Sequence, residues 1–369
     1  MKYRRILTIV IVLFFGLTVI PASAQQIKKE VEFSRYRFIP YYNLKKLGNT
    51  TIFQGNKQKR KYFEGWYFKM VSENGSHIIS VIPGISLSEN GKHQHAFIQI
   101  IDGNTAQTSY YSFPISDFSF STKEFAIKIA DNYFSKDMIR LNIEDSVARI
   151  SGKVEMRNLV DYKTGSFMNP GIMGWYRFVP FMECYHGVVS LTHDLKGELV
   201  INNSTHNFDN GKGYIEKDWG KSMPSAWIWM QSNHFNDSTT SFMLSIADIP
   251  WLGKSFTGFL GFFYHNNKVY RFATYRNSKL TLDIVDQNTL EIRIDNRKNS
   301  FIREARSNNT GILKAPEKGS MERRIAESID ASIKITVKDQ NKQVIFSDST
   351  SIAGLEIVGD IEKFSGNIK

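Results

Sequence analysis

The stretch GYIEKDWGKSMPSAWIWMQ (213–231) sets two acids, Glu216 and Asp218, two residues apart among three tryptophans. On a strand, alternation sends Tyr214, Glu216 and Asp218 to one face and Ile215, Lys217 and Trp219 to the other. Trp227 and Trp229 share a face of the following strand. If the acids point into an apolar interior, lost hydration and mutual repulsion raise the pKa of one of them. That carboxyl then keeps its proton near neutral pH and can act as a general acid. If they point outwards, they are ordinary surface groups and the tryptophans are core.

A second set lies in FMECYHG (181–187). Glu183 and Tyr185 share a strand face and His186 takes the other; a glutamate in so apolar a run needs a partner if it is buried. Cys184 is the only cysteine, which excludes an internal disulfide and a cysteine-type zinc site. It reads as a buried, inert thiol, because no third group stands near to orient His186 as its base. His93 and His95 in HQH suit a metal by spacing, but the local sequence offers no third ligand, so no metal site is expected. Glu64, in FEGW, lies close to Trp66 as Asp218 does to Trp219, and is read as a hydrogen-bonding counterpart.

The elements that must position these groups are strands. The chain has 369 residues, with 27 Phe and 16 Tyr, a composition suited to pleated surfaces rather than helices. Short alternating runs are broken by Asn90-Gly91, Asp102-Gly103 and Asn266-Asn267, which read as hairpin turns. GWYFKMVSENGSHIISVIP and AWIWMQSNHFNDSTTSFMLSIADIP follow the same order of aromatic opening, polar turn and closing proline. This predicts a duplicated all-β protein of two antiparallel barrel or sandwich halves, 25–205 and 206–369, with Trp66 and Trp227 in equivalent positions.

MKYRRILTIVIVLFFGLTVIPASA has the charged start, apolar core and Ala-x-Ala end of an export signal, 1–24. The mature protein is therefore expected to begin near Gln25 and to be periplasmic or secreted. The chain's formal charge is +11, and removing Lys2, Arg4 and Arg5 with the signal leaves +8. The remaining cations are too scattered for nucleic-acid binding; they suit solubility or peripheral contact with anionic lipid.

YFEGWYFK (62–69), FVPFMECYHGVVSL (178–191), GYIEKDWG (213–220), WIWMQSNHF (227–235), FATY (272–275) and AGLEIVG (353–359) together resemble the tocopherol cyclase family, in order and over nearly the whole mature chain. That family is in turn similar to hydroxyneurosporene-type carotenoid hydratases, which implies two lipocalin-like barrels. The resemblance implies closure of a prenylated hydroquinone to a chromanol by protonation of an alkene, with no redox change and no cofactor. Asp218 is then expected to donate the proton, since Trp219-Gly220 fixes it beside a turn, with Glu216 assisting. Trp227, Trp229, Tyr214, Glu183, His186 and Trp66 are expected to contact the hydrophobic substrate. The alternative is a non-catalytic exported carrier of a quinol, terpenoid or other lipid, which needs the lining but no donor. Oligomeric state is not legible.

Overall fold

The computed structural model describes residues 32–368, apart from 36–38, 146–147, 164–168, 180–181, 252 and 297. The segment read as an export signal lies outside the described residues. The fold is all-β, in two lipocalin-like antiparallel sheets. Its one α-helix among the described residues, Pro40–Gly48, buries Tyr42, whose hydroxyl donates to the Phe53 carbonyl at 2.7 Å.

The two sheets repeat one plan. In the first, the meander Tyr62–Val71, Ile78–Leu87, Gln94–Asp102 and Thr108–Pro114 is flanked, on the side of its first strand, by Lys212–Gly220. That strand pairs in turn with the long Cys184–Ile201, and the order continues through Arg149–Arg157 and Met138–Glu144. In the second, the meander Trp227–Ser232, Ser241–Trp251, Lys254–His265 and Lys268–Ala273 is flanked likewise by Val344–Val358, then by the long Ser320–Asp339, Asn299–Arg306 and Thr289–Asp295. The same neighbour order in both supports the duplication. The turn at Asn266-Asn267 forms as the sequence suggests, with φ of 49° and 59°, the conformation a two-residue hairpin needs.

The chain passes from the first sheet to the second between Gly220 and Trp227. The divide expected at 205 therefore falls later, because Lys212–Gly220 finds its partners in Tyr62–Val71 and Cys184–Ile201.

Each sheet rolls around its own apolar core. In the first, Trp66 stacks on Phe125 at 5.3 Å, and Phe68 meets Phe134 at 6.1 Å, joining two strands that are not neighbours in the sheet. In the second, Ile228 and Met230 enter a core with Phe242, Phe263 and Phe301. A third cluster fills the space between the sheets and includes Tyr67, Tyr214, Trp227, Trp229 and Phe262. Trp66 and Trp227 thus face different cores, against the expected equivalence. Tyr67 shares the face of Trp227 and Trp229, while Trp66 shares that of Ile228; an offset of one residue on a strand exchanges the two faces.

Candidate functional site

The site lies between the sheets, where alternation sends one face of Lys212–Gly220. Tyr214, Glu216 and Asp218 point there, whereas Ile215 and Trp219 enter the first core and Lys217 packs over the Trp66 and Trp219 rings at 4.7 Å. Register does the rest. Asp218 is the direct cross-strand partner of His186, which brings the imidazole Nδ1 to 2.8 Å from Asp218 Oδ1. The Nε2 on the other side of the ring lies 3.4 Å from Glu216 Oε2. Glu216 Oε2 also accepts the Tyr214 hydroxyl at 2.6 Å and the Trp229 indole N–H at 3.3 Å.

Burial opposes charge on His186, but Asp218 and Glu216 outweigh it and raise its pKa to about 10. The ring is therefore an imidazolium at neutral pH, clasped by two carboxylates. Gly220, at φ 153°, ends this strand; a Cβ there would lie 2.0 Å from the Glu183 carbonyl oxygen, so glycine is what lets the 183–184 segment close beside Asp218.

The facing wall comes from the second sheet and carries a second cross-strand pair. Glu327, on Ser320–Asp339, stands opposite Glu356, on Val344–Val358. Tyr67 donates to Glu327 Oε1 at 2.7 Å and accepts from Ser80 at 2.9 Å. Glu327 Oε2 is buried with no partner among the described residues. Trp227 donates its indole N–H to Glu356 Oε2. Burial raises the Glu327 pKa to about 7, against the pull of Tyr67 and Lys69. Burial, and then repulsion from Glu327, pushes Glu356 well above the ordinary carboxyl value.

Both pairs open on one cavity. Its walls include Phe63, Tyr67, Phe97, Trp227, Trp229 and Phe259, and it also meets Glu183, Cys184 and Tyr185. Tyr67 and Trp229 meet edge to face at 5.4 Å, so a continuous chain of contacts runs from Glu327 through Tyr67, Trp229 and Glu216 to His186 and Asp218.

Of the residues expected from sequence, Asp218, Glu216, Trp227, Trp229, Glu183 and His186 line this cavity, and Tyr214 anchors Glu216 from behind. Trp66 does not take part: it is fully buried in the first core, for the reason of strand parity given above. Glu64 is also fully buried there, paired with Lys217 and accepting the Tyr62 hydroxyl at 2.6 Å and the backbone N–H groups of Gln54 and Gly55. Burial pushes the Cys184 thiol well up, as suits an inert cysteine. His95 bonds Tyr110 at 2.7 Å, and no third ligand joins it and His93 among the described residues.

A metal-type cluster does arise elsewhere. Single ligand atoms of His186, Glu216 and Asp218 lie within 4.8 Å of one another, a donor set that divalent zinc or manganese accepts. The imidazole Nδ1 is already bonded to Asp218, however, so an ion taking all three ligands would compete with that pair, while Nε2 makes no hydrogen bond among the described residues. The residues that sequence reasoning missed are Tyr67, Glu327 and Glu356. Only Glu356 carried a signal, as the lone charge in AGLEIVG.

The family model described as tocopherol cyclase-like matches residues 141–359, and the chain belongs to that family. Over 74 residues it is 28% identical to the probable chloroplastic tocopherol cyclase of Oryza sativa subsp. japonica and, equally, to the chloroplastic tocopherol cyclase of Zea mays. Each match spans 20% of this chain and only 16% of the relative. The crystal structure of CghA with Sch210972 shares the fold, with a TM-score of 0.52, 10% identity, and coverage of 81% of this chain and 89% of that one.

Proposed function

We propose that the protein catalyses acid-promoted closure of a prenylated hydroquinone to a chromanol. Membership of the tocopherol cyclase-like family supports a cyclase- or hydratase-type role. The observation that carries the finer reading is a buried Glu327–Glu356 pair, held toward the protonated form, on one wall of an aromatic cavity whose other wall holds the His186–Asp218–Glu216 cluster.

Glu327 gives its carboxyl proton to the substrate alkene, through the oxygen that has no partner among the described residues. A pKa near 7 suits a general acid working at neutral pH. The new C–H bond leaves a tertiary carbocation among the faces of Tyr67, Trp227 and Trp229. The phenolic oxygen attacks that carbon and forms the ring C–O bond. Its proton passes to the Asp218 or Glu216 carboxylate, and solvent restores the proton on Glu327. Atoms are rearranged and none is gained, so the step is an isomerisation without redox change.

This moves the donor from Asp218 to Glu327. Burial holds Glu327 toward its protonated form, whereas Asp218 is engaged with His186 Nδ1 at 2.8 Å.

The test is incubation of the purified protein with a prenylated hydroquinone, followed by chromatography for a product of equal mass and altered retention. Glu327→Gln keeps shape and hydrogen bonding but removes the acid, so turnover should fall about 10²–10⁴-fold while ligand binding persists. Tight binding with no conversion by the parent protein would favour the carrier.

A further inference from the structure

Three large apolar side chains stand exposed around one end of the central cavity. Trp175 is 49% exposed, Trp251 41% and Phe178 39%. Trp175 and Trp251 each directly neighbour a cavity-lining residue in the chain, and Phe178 lies two residues from one. Tyr176, Ile249, Pro250 and Tyr275 line the cavity. Trp175 meets Tyr176 edge-on at 4.4 Å, and Phe178 closes the same 3-10 turn, Gly174–Phe178. Trp251 follows Pro250 at the tip of a hairpin, opposite the exposed Lys254. The turn and the hairpin lie at one end, because the Tyr176 ring is 6.4 Å from that of Phe256 and 5.4 Å from that of Tyr275.

The charge around this rim is positive. Lys254 and Arg276 are exposed beside it, while Asp248, which would oppose them, is neutralised by Lys363 at 2.6 Å. Tryptophan favours the boundary between hydrocarbon and headgroups, and basic side chains beside it are drawn to anionic lipid. Two exposed tryptophans, a phenylalanine and flanking cations beside one end of an apolar cavity fit a bilayer better than water.

We infer that this rim, formed by Trp175, Phe178 and Trp251 with Lys254 and Arg276, docks the protein on an anionic lipid bilayer. A hydrophobic ligand then passes between the membrane and the cavity without crossing water. The docking is independent of whether the cavity converts its ligand or only carries it, and its test needs no turnover.

The experiment is co-flotation of the purified protein with vesicles of phosphatidylcholine, alone or mixed with phosphatidylglycerol. The parent should float with the mixed vesicles and less with phosphatidylcholine alone, and its tryptophan emission should shift to the blue. Trp175→Ser combined with Trp251→Ser should weaken vesicle binding about tenfold or more. Lys254→Glu should reduce the preference for the anionic mixture. Val285→Ser, which alters an exposed apolar residue lining none of these walls, should bind as the parent does. The inference is overturned if the parent floats with neither vesicle, or if the double variant, at parental Tm, still binds fully. It is equally overturned if sedimentation shows a parent dimer that the double variant breaks, since the rim would then be a contact between copies.

Discussion

Glu327 stands directly opposite Glu356 across two antiparallel strands, and the pair faces the cavity that also receives His186 and Asp218. Like charges at cross-strand positions repel, and burial adds to the cost of ionising either group. The acid wall is therefore a product of register and burial together.

The pH dependence of stability should report this. The folded-state pKa of Glu327, about 7, lies above the ordinary carboxyl value of 4.5. Between those values the unfolded chain releases a proton that the folded chain keeps, so stability falls as pH rises toward and through 7. Burial sets the effect first; Tyr67 and Lys69 oppose it and Glu216 adds to it. In Glu327→Gln the penalty disappears, so the variant should gain in Tm relative to the parent between pH 4 and pH 8, read by paired thermal scans. Parallel curves would refute the shift.

His186 should act in the opposite sense to an isolated histidine. Its folded pKa of about 10 exceeds the ordinary 6.5. The stabilisation is thus complete below about pH 6.5 and is lost as pH rises through 10. Asp218→Asn removes the nearer carboxylate and should bring the imidazole into titration at a lower pH, seen in its ring-proton NMR shifts. Turnover should fall as well, because the phenolic proton loses an acceptor. An unchanged His186 titration in that variant would show that Glu216 alone holds the charge.

Lys217 and Glu64 form an ion pair with no solvent exposure beneath Trp66 and Trp219. Glu64→Gln leaves the ammonium buried and uncompensated, and loosens the 54–55 segment. The expected cost is about 3–5 kcal/mol of stability, measurable by denaturant unfolding. A loss far below that would mean the lysine sheds its proton instead, which burial already favours by lowering its pKa to about 8.

Arg303 enters the core of the second sheet 1% exposed, with none of its three nitrogens bonded among the described residues. Its guanidinium rests against Phe242, Phe272 and Phe301 at 4.2, 5.0 and 5.4 Å. Replacing a poorly compensated buried charge by an apolar chain of similar volume is often stabilising, by about 1–4 kcal/mol. Arg303→Met should accordingly raise Tm, and a fall would mean that a bound anion or water satisfies the guanidinium in the parent.

Strand parity is a local property, so the sequence by itself determined which side chains travel together: Tyr214 with Glu216 and Asp218, Trp227 with Trp229, and Ile215 with Lys217 and Trp219. Turn chemistry and the repeated order of motifs likewise determined an all-β duplicated fold. Register and packing are not local. Only the tertiary structure set His186 opposite Asp218, 32 residues apart in sequence, and Glu327 within reach of Tyr67, 260 residues away. It also decided that Trp66 turns into a core while Tyr67 takes the cavity, since nothing along one strand says which face its neighbours will cover. Glu327 lies in MERRIAESIDASIKITVKD, where charges crowd a strand that reads as solvated, and it is buried only because the other sheet lies over it. The physical reason is that a carboxyl's chemistry depends on the hydration and charge supplied by distant parts of the chain, and no spacing within one segment encodes those.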